Sequence, residues 1–163
     1  MSHNNPDIDI RVEQNTGRIT LTRASKFNAL TYEMVIAIRA ALLEWQHDDG
    51  VKMVVIDADS QKAFCAGGDI QKLYQTGIDG DLEYMRSFWA DEYRLNALIA
   101  AYGKPYVAIM DGITMGGGVG ISAHGSHRLV TARTMLAMPE CAIGLVPDVG
   151  GSFLLAKAPG HVG

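Results

Sequence analysis

The 163 residues carry a formal charge of −4 and a sequence pI near 5.7, with 48% hydrophobic and 20% charged side chains. That balance excludes an intrinsically disordered chain and a phosphate-backbone partner, so no nucleic acid is expected, and no apolar run approaches the ~20 residues of a membrane span. Two cysteines, Cys65 and Cys141, make neither a disulfide framework nor a zinc ligand set, so reduced thiols and no metal are expected.

The start, Met1-Ser2-His3-Asn4-Asn5-Pro6-Asp7, is polar and acidic, unlike a secretory or transit segment, and a cytoplasmic location follows as an expectation. Residues 18–23 alternate at period two and predict a half-buried strand. Past Lys26 and Asn28, Thr31 is placed to cap a helix whose apolar stripe is Met34, Ile38, Leu42 and Trp45. Asp48-Asp49-Gly50 ends it, and 52–57 is a short apolar run of the kind buried in parallel sheets. A long helix is predicted over about 81–102, with Met85, Trp89 and Ile99 on its apolar side. Pro105 bars its continuation, and 106–110 is a second buried strand. A glycine cluster follows, then a helix over 121–124 and short strands at 128–131 and 135–138. Residues 153–157 begin an apolar helix that the ending Gly160-His161-Val162-Gly163 leaves unfinished, as in a fragment of a longer chain. One α/β domain with right-handed crossovers fits this order, and no tandem repeat is visible.

Of eighteen glycines, half gather in a few places: Gly67-Gly68, Gly116-Gly117-Gly118 with Gly120, Gly144, and Gly150-Gly151. Two of these turns follow buried strands, where ligands of parallel α/β folds sit. Two such turns can aim two backbone amides at one oxygen, as stabilisation of an enolate or a tetrahedral oxyanion requires. Two packing turns without a catalytic role are the competing reading. Met138-Pro139-Glu140 and Val146-Pro147-Asp148 each set an acid after a proline in apolar surroundings, where desolvation would raise its pKa towards the range of a general base or acid. A capping role is the alternative for either acid alone.

Three segments together resemble the enoyl-CoA hydratase/isomerase (crotonase) superfamily, more narrowly its 3-hydroxyisobutyryl-CoA hydrolase branch. They are Phe64-Cys65-Ala66-Gly67-Gly68-Asp69, Gly112-Ile113-Thr114-Met115-Gly116-Gly117-Gly118-Val119-Gly120, and Ala137-Met138-Pro139-Glu140 through Gly144-Leu145-Val146-Pro147-Asp148-Val149-Gly150-Gly151. The likeness runs from about Ile10 to the end. It implies an α/β spiral of ββα units whose helical C-terminal region packs against a neighbouring subunit. Residues 1–163 then read as an N-terminal crotonase-like core lacking that region, and a homo-oligomer is implied.

The implied activity is hydrolysis of a short hydroxyacyl-CoA thioester in valine catabolism, with coenzyme A present as part of the substrate and no separate cofactor. By the same resemblance, the thioester oxygen lies between the amides of Ala66 (or its immediate neighbour) and Gly117. Glu140 and Asp148 are the implied catalytic carboxylates. Glu92, in a Glu92-Tyr93 pair on the long helix, and Gly67, Gly68, Gly116 and Gly118 are the implied substrate contacts. Pocket walls are expected from Leu73, Tyr74, Phe88 and Leu145. Hydratases of this superfamily carry a second glutamate just after the triple glycine; here that position is Gly120, which favours hydrolysis over hydration. Glu140 is expected either to activate a water or to attack the carbonyl and form an anhydride, and Asp148 to move a proton or hold the substrate hydroxyl.

Three other readings compete. An enoyl-CoA hydratase/isomerase, or a CoA-binding module without activity, shares the same motifs. Gly118-Val119-Gly120-Ile121-Ser122-Ala123, with Glu140 about twenty residues on, matches a dinucleotide fingerprint. Against this, 111–115 separates the glycines from the preceding strand. A serine elbow fails at His124, and His124 with His127 lacks a third metal ligand.

Overall fold

The computed structural model describes residues 5–158. The expectations resting on Met1–Asn4 and on 159–163 lie outside these residues. Eight strands form two sheets. Strands β1 (Ile8–Glu13), β2 (Thr16–Leu21), β3 (Met53–Ala58), β5 (Tyr106–Met110) and β7 (His127–Val130) make the larger, in the order β1-β2-β3-β5-β7. Strands β4 (Ala63–Cys65), β6 (Ile113–Met115) and β8 (Met135–Ala137) make the smaller, in the order β4-β6-β8. Only β1 and β2 run antiparallel.

After the β1–β2 hairpin and α1 (Tyr32–Trp45), each pair of successive strands feeds one strand to each sheet and then leads to a helix. β3 and β4 lead to α2 (Ile70–Ile78) and α3 (Leu82–Ala100), β5 and β6 to α4 (Gly117–Gly120), and β7 and β8 to α5 (Gly151–Ala156). The chain is therefore the expected spiral of ββα units, repeated in structure although no repeat shows in the sequence.

The first helix, α1 (Tyr32–Trp45), forms as predicted. Thr31 accepts a hydrogen bond from the Met34 amide at 3.2 Å, and Met34, Ile38, Leu42 and Trp45 are all buried. Trp45 lies over β2, where Gly17 leaves room for it: a Cβ there would stand 2.6 Å from the indole Cζ3. Val54 and Ile56 of β3, Ala108 and Met110 of β5, and Leu95 and Ile99 of α3 complete the core.

Four elements depart from the predictions. The β1–β2 hairpin turns on Gln14 (φ +56) and Asn15 without the glycine that usually marks such a turn. α2, where no helix is predicted, carries apolar residues at helical spacing (Ile70, Leu73, Tyr74 and Ile78) but buries only Leu73 and Thr76. Strand β6 occupies 113–115, read from the sequence as a spacer. The short helix begins at Gly117, not Ile121, so the glycines belong to its first turn.

Candidate active site

The loop after β4 is stitched to the segment 27–30 from both sides. Ala66 N–H donates to the Phe27 carbonyl at 3.0 Å, Leu30 N–H to the Gly67 carbonyl at 2.8 Å, and Asp69 N–H to the Leu30 carbonyl at 2.9 Å. Asn28, fully buried at φ +54, donates its side-chain amide to the Ala63 carbonyl. Asp69 caps α2 through the Lys72 amide and pairs with Arg23, so its role is structural. The Ala66 amide, expected to face the carbonyl oxygen, is thereby committed to Phe27. Among the described residues, the amides of the next two residues, Gly67 and Gly68, have no acceptor.

The loop after β6 comes face to face with this one. A Cβ on Gly117 would stand 3.3 Å from the Gly68 nitrogen, and one on Gly67 would stand 3.6 Å from the Gly117 nitrogen. Gly117 opens α4, and its N–H likewise has no acceptor among the described residues, as first-turn amides do not. Gly118 does not belong to this surface. It packs on the Cys65 carbonyl, where any side chain would collide. Gly120 is covered by Asn96 and Val149, a Cβ there standing 2.9 Å from the Asn96 Nδ2. Neither glycine of the dinucleotide fingerprint is open to a pyrophosphate.

Three carboxylates converge on the cavity these loops border, which measures about 340 Å³. It is lined by Ala66, Gly67, Gly68, Gly116 and Gly117, with Glu92, Glu140 and Asp148 among its walls, and among the described residues no basic side chain lines it. Glu140 begins a 3-10 turn (Glu140–Ile143) after Pro139 and is 8% exposed. Its Oε1 lies 2.8 Å from where a Cβ on Gly116 would be, and its Oε2 has no hydrogen-bond partner. Burial, with the charge of Asp148 adding to it, holds the Glu140 carboxyl above its ordinary pKa.

Glu92 lies on the buried face of α3 and is 3% exposed. Its Oε1 sits against Gly117 without a partner. Desolvation first, then the charges of Asp148 and Glu140, push its carboxyl up to about 8. Asp148 accepts a hydrogen bond from the Tyr93 hydroxyl at 2.7 Å. Burial first, then that bond, raises the phenol's own pKa.

The structure thus gathers Glu92, Glu140, Asp148, Gly67, Gly68, Gly116 and Gly117 around one cavity, commits the Ala66 amide to Phe27 while leaving those of Gly67 and Gly68 free among the described residues, and sets Gly118 apart. Leu73, Phe88 and Leu145 line the walls as expected, whereas Tyr74 points outward at 68% exposure. Tyr93, Asn96 and His124 were not read as site residues. Tyr93 orients Asp148, and His124 reaches the Val149 carbonyl at 2.7 Å. Only the Glu92-Tyr93 and Glu92–Asn96 spacings, one and four along a helix, hinted at the first two.

The chain belongs to the enoyl-CoA hydratase/isomerase family, whose model matches residues 16–163. Within that family its relatives carry different names. It is 43% identical over 157 residues to the 3-hydroxyisobutyryl-CoA hydrolase, mitochondrial, of Gallus gallus, covering 96% of this chain and 40% of the relative. It is 47% identical over 151 residues to the small ribosomal subunit protein mS47 of Neurospora crassa, covering 91% of this chain and 30% of the relative. A crystal structure of an enoyl-CoA hydratase from Rhodobacter sphaeroides superposes with TM-score 0.91 at 55% identity, covering 94% of this chain and 46% of that one. The chain therefore spans less than half the length of these relatives. Among the described residues no helix is long and apolar enough to cross a membrane.

Proposed function

We propose that residues 1–163 form the crotonase-like core of an acyl-CoA thioester hydrolase, with 3-hydroxyisobutyryl-CoA, an intermediate of valine breakdown, as its preferred substrate. The observation that carries this reading is the convergence of Glu140 and Asp148 on a cavity bordered by acceptor-free amides on two facing loops, while position 120 has no side chain and no room for one. Concerted hydration of a double bond calls for a second carboxylate at 120. Hydrolysis calls for one base, an oxyanion site and a group to hold the acyl hydroxyl.

In the proposed reaction the thioester oxygen accepts from the Gly68 and Gly117 amides. Glu140 takes a proton from water as the water oxygen bonds to the carbonyl carbon. The tetrahedral intermediate collapses, the carbon–sulfur bond breaks, and the departing thiolate takes the proton back from Glu140, leaving a carboxylic acid and free coenzyme A. The raised pKa of Glu140 makes it a stronger base than an ordinary carboxylate. Glu92, protonated near neutral pH, donates to the substrate hydroxyl, and Asp148 accepts from the attacking water. A panel of acyl-CoAs assayed for free thiol, beside hydration of crotonyl-CoA, tests the proposal. 3-Hydroxyisobutyryl-CoA is expected first, other short hydroxyacyl-CoAs behind it, and hydration negligible. The opposite order would reject it.

A further inference from the structure

Asp148 stands on a loop whose next residue has an unusual backbone. Val149 adopts φ +44, in the left-handed region that β-branched residues rarely enter, yet its side chain is buried at 4% exposure. Such a conformation persists only where its surroundings impose it.

Both restraints come from one segment. The Val149 side chain lies over Gly120, its Cβ 2.9 Å from the point a Gly120 Cβ would occupy. The Val149 carbonyl accepts a hydrogen bond from His124 Nε2 at 2.7 Å. Because a carbonyl only accepts, that nitrogen carries the hydrogen. The imidazole also packs on Gly150 (φ +76), where a Cβ would stand 2.9 Å from the ring Cε1. The loop then closes on itself, Gly151 N–H donating to the Asp148 carbonyl at 2.7 Å.

We propose that His124 and Gly120 are positioning residues for Asp148: together they form a seat for Val149 that aims the preceding carboxylate into the cavity. The segment that supplies the Gly117 amide also supplies this seat, three and seven residues further on. The oxyanion donor and the second acid are thereby held in one frame. Gly120 then has a positive role, as the bare backbone on which Val149 rests, beyond lacking a glutamate. This inference rests on the hydrolase reading for its catalytic consequence, though not for its geometry.

The test pairs two readouts on His124→Ala, His124→Gln, Gly120→Ala and Asp148→Asn: steady-state thioester hydrolysis, and NMR amide exchange at Gly151. In His124→Ala, Gly151 exchange is expected to quicken roughly tenfold or more, and kcat to fall roughly tenfold with KM little changed. His124→Gln, which keeps a donor for the carbonyl, restores most of both. Gly120→Ala reproduces the loss with His124 intact, and it decides the matter if His124→Ala does not fold. On an Asp148→Asn background, His124→Ala is expected to lower kcat by less than about twofold more. Unchanged exchange at Gly151 in a folded His124→Ala or Gly120→Ala protein overturns the proposal, as do multiplicative losses with Asp148→Asn. If the unaltered chain releases no thiol, the hydrolase reading fails while the exchange comparison still decides the seat.

Discussion

Glu92 Oε1 occupies the space into which a side chain on Gly117 would project. Glycine at 117 is thus required by a carboxylate on α3, and the amide it exposes is fixed by the same packing. Gly117→Ala would force Glu92 aside and disturb the Gly68 amide, 3.3 Å from the new methyl. Turnover is expected to fall by about 10²–10³, the cost of losing one oxyanion donor. The check is kcat for thiol release, with a thermal melt to confirm folding.

Glu92 also makes stability depend on pH. Its carboxyl, raised to about 8 in the folded chain, binds a proton that the unfolded chain has already released above its ordinary pKa of 4.5. The folded state holds more protons between those values, so stability falls as pH rises through that window and levels off above it. Glu92→Gln removes this contribution and leaves that of Glu140, which has the same sign. The variant is expected to melt near the unaltered chain at pH 4.5 and well above it at pH 8.5, a difference of up to about 4 kcal/mol. Melts at the two pH values decide this.

Tyr93 holds Asp148 by its hydroxyl alone, and its ring is partly exposed. Tyr93→Phe is expected to lower kcat roughly tenfold while lowering the melting midpoint by only a few degrees, since this hydrogen bond is open to solvent and little packing is lost. A thiol-release assay beside a melt separates the two effects.

Sequence legibility followed burial. β3, β5 and α1 bury whole runs or a whole stripe, so periodicity reveals them. α2 shows two inward residues, and β4, β6 and β8 are three residues each, too short to carry a period. On α3 the inward face includes Glu92 and Asn96, which break the stripe beside the cavity. The acids at 140 and 148 were legible from their motif. That the Ala66 amide is already occupied was not, because its acceptor, the Phe27 carbonyl, lies far upstream. His124 and Tyr93 act on Asp148 through contacts spanning 25 residues or more, beyond any local pattern.

The most direct test is free thiol release from 3-hydroxyisobutyryl-CoA by the unaltered chain and by Glu140→Gln, measured together. The amide is nearly isosteric and cannot take a proton, so the unaltered chain is expected to release thiol and the folded variant to be at least roughly 10²-fold slower. A folded Glu140→Gln protein that cleaves the thioester at the unaltered rate would contradict the assignment of that carboxylate as the base.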